Sequence, residues 1–383
     1  MLHHRSDSSI DRATFLRASG LFVAGALGVG GLAACGSEEA TTAATGTGAT
    51  TGTRPLKKAS IQLKWVLQNQ FAGELMAREK GFYADAGLDV DIRPGGPDIQ
   101  PERDAATGAA DIAIGFMSTA LANREQGAPV VNISQLHQRG TAGIIAFKDR
   151  GIDSVERMKD KSFSTFLGGG QFPYFADLSL HGLDPASDVD VVNQGVNMQV
   201  FLQRKVDVAS AGVYSELLQV YESGVRPSDV WFWKVGDDGI NFLEDGYYTS
   251  QDNLDDPDKR ETLVGLVKAG LRGWDYAFNN VDETSEVVFR LAGDGAVSLA
   301  HQREQLRVIR DDLVLQGATL THGIGYMDPT VLDDMYSLCR RYGVLRKDQD
   351  LDAAYSHDIW QAAVASLRAD GLQFRQGRLV RAA

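Results

Sequence analysis

The chain predicts an α/β fold. Two observations carry this. From Ser60 onward, short β-branched or alternating runs recur between stretches with helical spacing. Glycines close many of the helical stretches, as at Lys80-Gly81, where Gly accepts the left-handed conformation past a helix end. Such alternation predicts mostly parallel sheets with helices on both faces.

The opening elements set the pattern. Ser60 to Leu63 reads as a strand, and a polar loop carrying Trp65 and Gln70 follows. Phe71 to Lys80 reads as a helix, and Leu88 to Ile92 as the next strand. In open α/β sheets ligands sit outside the carboxyl ends of the strands. Trp65 and Gln70 fall there, a flat ring and an amide suited to a small, flat, polar ligand. Asp111 to Gly115 is a buried strand that leads into Met117-Ser118 at a helix start. Pro129 to Leu136 and Gly143 to Phe147 are further strands, with His137 and Gln138 at the end of the first.

The order then restarts. Ser162 to Phe166 is a strand, Leu167 to Gln171 a glycine loop, and Tyr174 to Leu183 a helix. Strands at Asp190–Asn193 and Val206–Gly212 follow, with helices at Val200–Arg204 and Tyr214–Ser223. Trp231–Lys234 and Tyr247–Thr249 read as strands returning to the first unit. The glycine loop lacks the Lys and Ser/Thr of a phosphate-binding P-loop, but its amides can approach a ligand closely. The remainder reads as helical. Asp256-Pro257 starts a helix, as cap and first-turn residue. Leu263, Val267, Leu271, Trp274 and Phe278 follow at core spacing, and Tyr355 to Ala369 is the last helix.

The chain has 383 residues, 43% hydrophobic, with a net charge of −13. That length suits two ordinary domains. The acidic balance argues against nucleic acid and against adsorption to an anionic bilayer. Arg5, Arg12 and Arg17 precede the uncharged, Gly- and Ala-rich run Ala18 to Ala34, which ends in Leu32-Ala33-Ala34-Cys35. This resembles a bacterial lipoprotein signal, which implies that Cys35 is acylated after cleavage. Ala13 stands where a twin-arginine signal needs its second Arg, so the export route stays open. Glu38 to Thr53 is Thr, Ala and Gly with few acids, the composition of a flexible tether. Cys339, the other cysteine, shares a helical face with Val331, Met335 and Tyr342 and reads as a small buried apolar residue. No cysteine cluster for zinc and no cofactor motif stands out.

Taken together, three stretches carry a family resemblance: Trp65…Gln70-Phe71-Ala72-Gly73, Lys80-Gly81-Phe82-Tyr83 with Ala86-Gly87-Leu88, and Ala110-Asp111…Gly115-Phe116-Met117-Ser118. Gln203 to Asp207 followed by Tyr214-Ser215-Glu216, and Met327-Asp328-Pro329 with Tyr342-Gly343-Val344-Leu345, extend it to most of the chain. In order and spacing they resemble the NMT1/THI5-like solute-binding proteins of ABC importers. Leu67 departs from the pattern, where such proteins often have Pro.

The resemblance implies a periplasmic-binding-protein-like (type II) fold, two α/β lobes hinged about a ligand cleft and read by a permease when closed. The expected division is residues 1–34 signal, 35–56 tether, 57–147 with 246–383 first lobe, and 148–245 second lobe. It implies a monomeric, membrane-anchored, non-enzymatic binding protein that needs no cofactor. A thiamin pyrimidine precursor is the expected solute, with riboflavin, nitrate, sulfonates or taurine as alternatives. Sequence shows little cationic lining for an anion. A pyrimidine-phosphate synthase, as in eukaryotic relatives, needs a cysteine-rich motif not found here.

The candidate ligand-binding residues are Trp65, Gln70, Phe71, Met117, Ser118, His137, Gln138, Gly170, Gln171, Tyr174, Tyr214, Glu216 and Tyr247. Trp65 is the platform for the ring and Glu216 the acceptor for its amino groups. For each, packing or capping is the competing role.

Overall fold

The computed structural model describes residues 55–293 and 297–382. The expected signal, Cys35 and all but the last two residues of the tether lie outside them. Among the described residues no helix is long and apolar enough to cross a membrane.

Two five-stranded sheets form the frame. In chain order the first uses β1 (Lys57–Gln62), β2 (Leu88–Arg93), β3 (Ile112–Phe116) and β4 (Val130–Gln135). The second uses β5 (Gly143–Phe147), β6 (Lys161–Thr165), β7 (Val189–Asn193), β8 (Val208–Ser210) and β9 (Val230–Lys234). β10 (Glu244–Ser250) returns to the first, giving the orders β2-β1-β3-β10-β4 and β7-β6-β8-β5-β9. β10 runs antiparallel to both β3 and β4, and β5 antiparallel to both β8 and β9. The two sheets therefore repeat one plan, four strands aligned and one reversed. In each sheet the reversed strand adjoins a crossing between the sheets.

This corrects the expected boundaries. β5, assigned to the first lobe, is hydrogen-bonded only within the second sheet. The outward crossing is thus residues 136–142 and the return 235–243. Gly143 fixes β5 closely: a methyl group there would strike the Phe232 ring and the Ala211 carbonyl.

The helices that place the site follow from local sequence. α1 (Ala72–Glu79) ends before Gly81, whose φ of 73° is left-handed. α2 (Pro101–Ala106) has Pro in its first turn, and α3 (Met117–Glu125) leaves directly from β3. α4 (Phe172–Leu180) follows the glycine loop, and α5 (Glu216–Glu222) follows β8. α6 (Pro257–Asn279) is capped by Asp256, which accepts from the amides of Asp258 and Lys259. Its Leu263, Val267, Leu271, Trp274 and Phe278 are all buried, as their spacing requires. α7 (Val281–Ala292), α8 (Leu299–Val308), α9 (Pro329–Arg341) and α10 (Asp358–Ala369) are the longer helices that follow.

Cys339 is buried on α9 with Leu332 and Met335, and burial pushes its thiol up to about 12. Leu332 joins that inner face, with Val331 and Tyr342 half-buried against the same core. A terminal hairpin, β11 (Leu372–Arg375) and β12 (Arg378–Arg381), turns on Gln376-Gly377, both at positive φ. It stands where helix alone was expected.

Candidate functional site

The carboxyl ends of β1, β3, β6 and β8 converge where the two crossings run between the sheets. Residues just past those ends carry the site: Lys64 and Trp65 after β1, Phe116 closing β3, Phe166 after β6, and Tyr214 and Glu216 after β8. The crossings add His137, Thr141, Glu244 and Asp245.

Lys64 is the centre. Its side chain is 6% exposed, with Nζ 2.9 Å from Asp245 and 3.3 Å from Glu244. The ammonium also lies 3.8 Å above the Phe116 ring, a cation–π contact. Burial pulls its pKa down, but Asp245 and then Glu244 more than offset this, and the net shift is upward. Thr141 donates to Glu244 from its hydroxyl at 2.8 Å. Asp245 accepts from Gln70 Nε2 on both oxygens at 3.1 Å, and His137 Nε2 stands 3.2 Å away. Asp245 holds a φ of 54°, uncommon for a non-glycine residue, so its backbone is bent to bring the carboxylate inward.

His137 is fully buried, and neither ring nitrogen closes a hydrogen bond. Burial lowers its pKa, against the pull of Asp245 and Glu244. Tyr214 meets it edge-on at 5.9 Å. Glu216 lies in the first turn of α5, and its Oε2 accepts the Gly212 amide at 3.0 Å. Burial lifts its pKa, and Glu244 adds to the rise. Tyr174 and Tyr214 both feel the charges of Glu216 and Glu244, and burial raises both phenols well above their usual range. The cluster therefore sets three acidic side chains against one ammonium. Such a wall stabilises a cationic or donor-rich guest and repels an anion.

The two sheets meet through aromatic and glycine contacts. Trp65 and Phe166 pack edge to face at 4.8 Å. Gly169, at φ 115°, lies so close to Thr119 that a methyl group there would collide with its hydroxyl. A methyl on Gly170 would touch Phe166 and reach the Phe116 ring. Gln171 Oε1 accepts the Gly169 amide at 2.8 Å and braces the loop.

The structure thus brings together Trp65, Gln70, His137, Gly170, Gln171, Tyr174, Tyr214 and Glu216. Gln70 acts by holding Asp245 rather than by facing open space. Four expectations do not hold. Phe71 is fully buried in the core of the first sheet, because the chain enters α1 through a 3-10 turn that rotates it inward. Met117 is fully buried, and its sulfur receives the Tyr248 hydroxyl. Tyr247 points to the helical side of its strand, where its hydroxyl bonds Glu74 on α1. Gln138 spends its amide on the carbonyls of Gln135 and Tyr326. Ser118 is buried in the first turn of α3, one residue inside Met117.

Lys64, Phe116, Thr141, Phe166, Glu244 and Asp245 were not anticipated. The signal was present in part: Lys64 adjoins Trp65 at a strand end, and Glu244-Asp245-Gly246 is an acidic pair opening a strand.

A second buried acid, Glu102 on α2, accepts the amide of Phe116 at the end of β3. Burial raises it to about 7, against that hydrogen bond.

Comparison with known proteins places this geometry. The riboflavin-binding protein RibY of Chloroflexus aurantiacus is 24% identical over 79% of this chain and 86% of its own. A 4-amino-5-hydroxymethyl-2-methylpyrimidine phosphate synthase of Legionella pneumophila is 25% identical over 60% of this chain and 72% of its own. Among solved structures, the periplasmic nitrate-binding protein NrtA from Synechocystis superposes with a TM-score of 0.62 at 15% identity, covering 85% of this chain and 96% of that one. The periplasmic aliphatic sulphonate binding protein SsuA from Escherichia coli gives 0.57 at 12% identity, covering 78% and 91%. These likenesses share the two-sheet fold of periplasmic binding proteins. The NMT1/THI5 like family model matches residues 68–284, from the loop after Trp65 through β2 to β10 and into α7, and the chain belongs to that family.

Proposed function

We propose that the chain is the solute-binding component of an ABC importer and that its solute is a flat, amino-bearing ring of the thiamin-pyrimidine class. One observation carries this reading. The residues gathered at the strand ends combine aromatic edges with an excess of buried carboxylate, Glu216, Glu244 and Asp245 against Lys64 alone. An aminopyrimidine offers N–H donors to those acids and a π-face to Trp65. Nitrate has no N–H donor for those acids, the sulfonate group needs a cation, and Lys64 is already committed to two carboxylates.

Binding and closing are one event in this scheme. The solute adds contacts to Trp65 on one sheet and Glu216 on the other, so it favours the arrangement in which both face it. The permease then reads that arrangement. We also infer export, lipid attachment at Cys35 and action as a monomer. The leader-like segment Arg5 to Cys35 supports the first two.

Riboflavin is the second reading, favoured by the relative that aligns over 79% of the chain. Catalysis is the third, raised by the relative named a synthase. The binding reading draws on the same acids and aromatics without requiring any of them to react.

The test is calorimetry of the purified chain with an aminopyrimidine, riboflavin, taurine and nitrate, backed by thermal shift. A ligand at 100 times its Kd raises stability by about 2.7 kcal/mol. Binding of the aminopyrimidine alone supports the proposal. Binding of taurine or nitrate, with none of the aminopyrimidine, overturns it. Conversion of the aminopyrimidine to a new product would establish catalysis instead.

A further inference from the structure

Away from the strand ends, Asp177 and His181 lie four residues apart on one face of α4 and its C-terminus. Asp238, from the short 3-10 turn Val235–Asp238 on the return crossing, meets them. One ligand atom from each lies within 4.8 Å of the other two. Asp177 is fully buried, and neither of its oxygens accepts a hydrogen bond. Against burial and Asp238, the indole N–H of Trp233 lies near enough to pull the carboxyl down, without closing a well-formed hydrogen bond. A buried carboxylate left without donors is costly unless a cation or proton completes it.

His181 is arranged for a metal. Its Nδ1 is 2.7 Å from Glu156 Oε1, while its Nε2 faces the two aspartates, 2.6 Å from Asp238 and 4.0 Å from Asp177. A proton bridges Nε2 and Asp238 at that distance; an ion takes its place when Glu156 accepts the Nδ1 proton and the Nε2 lone pair turns to the metal. This carboxylate–histidine arrangement is how protein metal sites orient their imidazole and raise its basicity.

We propose that Asp177, His181 Nε2 and Asp238 bind a divalent ion of the zinc class, with Glu156 as the positioning residue behind the histidine. One nitrogen and two carboxylate oxygens suit that class better than calcium or magnesium, which take oxygen alone. Bonds of about 2.0–2.2 Å to a tetrahedral ion set ligand atoms roughly 3.3 Å apart. The 2.6 Å pair opens and the 4.0 Å pair closes by less than an ångström each, and the two aspartates, within 4.8 Å, draw together to meet this. The ion would tie α4 of the second sheet to the crossing that leads back to the first. With three protein ligands the fourth position is left to water, and the ion would fix one end of that crossing.

The test is titration of the EDTA-treated, dialysed full-length protein with zinc chloride by calorimetry, and with cobalt chloride by visible absorption. Asp177→Asn and His181→Gln are compared after circular dichroism confirms each is folded. One equivalent bound by the wild type and lost in both variants is the expected result, with magnesium giving no heat. Glu156→Gln keeps all three ligands and should weaken zinc by about 10–100-fold. If either ligand variant fails to fold, Glu156→Gln alone decides. No zinc binding by the wild type overturns the proposal. So does undiminished binding in the folded variants, which would place the ion elsewhere.

Discussion

Glu74→Gln isolates the cost of a buried acid that has nothing to do with ligand. Glu74 lies on α1, fully buried, and both the Tyr247 hydroxyl and Trp274 Nε1 donate to its Oε1. Its Oε2 has no partner. Burial lifts the carboxyl from 4.5 to about 7, against the lowering by Tyr247. The folded pKa is above the unfolded one, so below pH 4.5 both states are protonated and stability is unaffected. As pH rises from there to 7, the unfolded chain releases the proton first and the folded state loses ground. Each pH unit in that window costs about 1.4 kcal/mol, and above pH 7 the full penalty of about 3 kcal/mol persists. Glutamine keeps the acceptor for Tyr247 and Trp274 but carries no charge. Its amide gains no new partner, a fixed cost independent of pH. The assay is urea denaturation of both proteins at pH 5 and pH 8, followed by tryptophan fluorescence. The variant's stability relative to wild type should improve by about 2.5 kcal/mol between the two pH values. A relative stability that stays within about 0.5 kcal/mol across that range would refute the assignment of a protonated, desolvated Glu74.

Three further outcomes follow from the site. Trp65→Ala should weaken an aromatic solute by about 1–3 kcal/mol, borrowing the scale of base–aromatic stacking; unchanged calorimetric affinity would remove the indole from recognition. Glu216→Gln retains an acceptor for the Gly212 amide but loses the charge, and should cost an amino-bearing solute about 1.5–3 kcal/mol. Tighter binding in that variant would instead mark the solute as an anion. Lys64→Met strands Glu244 and Asp245 without their cation and should destabilise the fold by about 3–5 kcal/mol, read by denaturation; a neutral result would mean the pair is not desolvated.

Most of the frame was legible because it rests on local rules. Gly81 stops α1, Asp256-Pro257 starts α6, and the Leu263 to Phe278 stripe is buried as its period demands. The crossings were harder. The run Gly143 to Phe147 is apolar on both faces, and such a strand fits either sheet equally well; only its partners β8 and β9 decide. The site divided along the same line. Trp65, Tyr174, Tyr214 and Glu216 follow strands in sequence, so topology delivers them to one place. Tyr247 and Tyr248 are adjacent and point to opposite faces, and a register shift within β10 separates period-2 reasoning from the outcome. Lys64 was hidden by its type, since a lone lysine beside a strand is ordinarily a solvated one. Its burial depends on Glu244 and Asp245, 180 and 181 positions away, which no local pattern announces.

The two reversed strands have a consequence for how the protein can be cut. β5 and β10 are interior members of their sheets, bonded on both edges, and each adjoins one of the two chain passages. Splitting the gene at residue 139 would strand β10 with the wrong fragment and leave a gap in the middle of a half, so neither piece should be soluble by itself. Two short segments, residues 136–142 and 235–243, carry the chain between the sheets, and Glu222 on α5 adds a tie to Ser298 and His301 on α8. Glu244 and Asp245 sit at the root of one segment and His137 and Thr141 on the other, so a guest that grips those side chains bears on both passages at once.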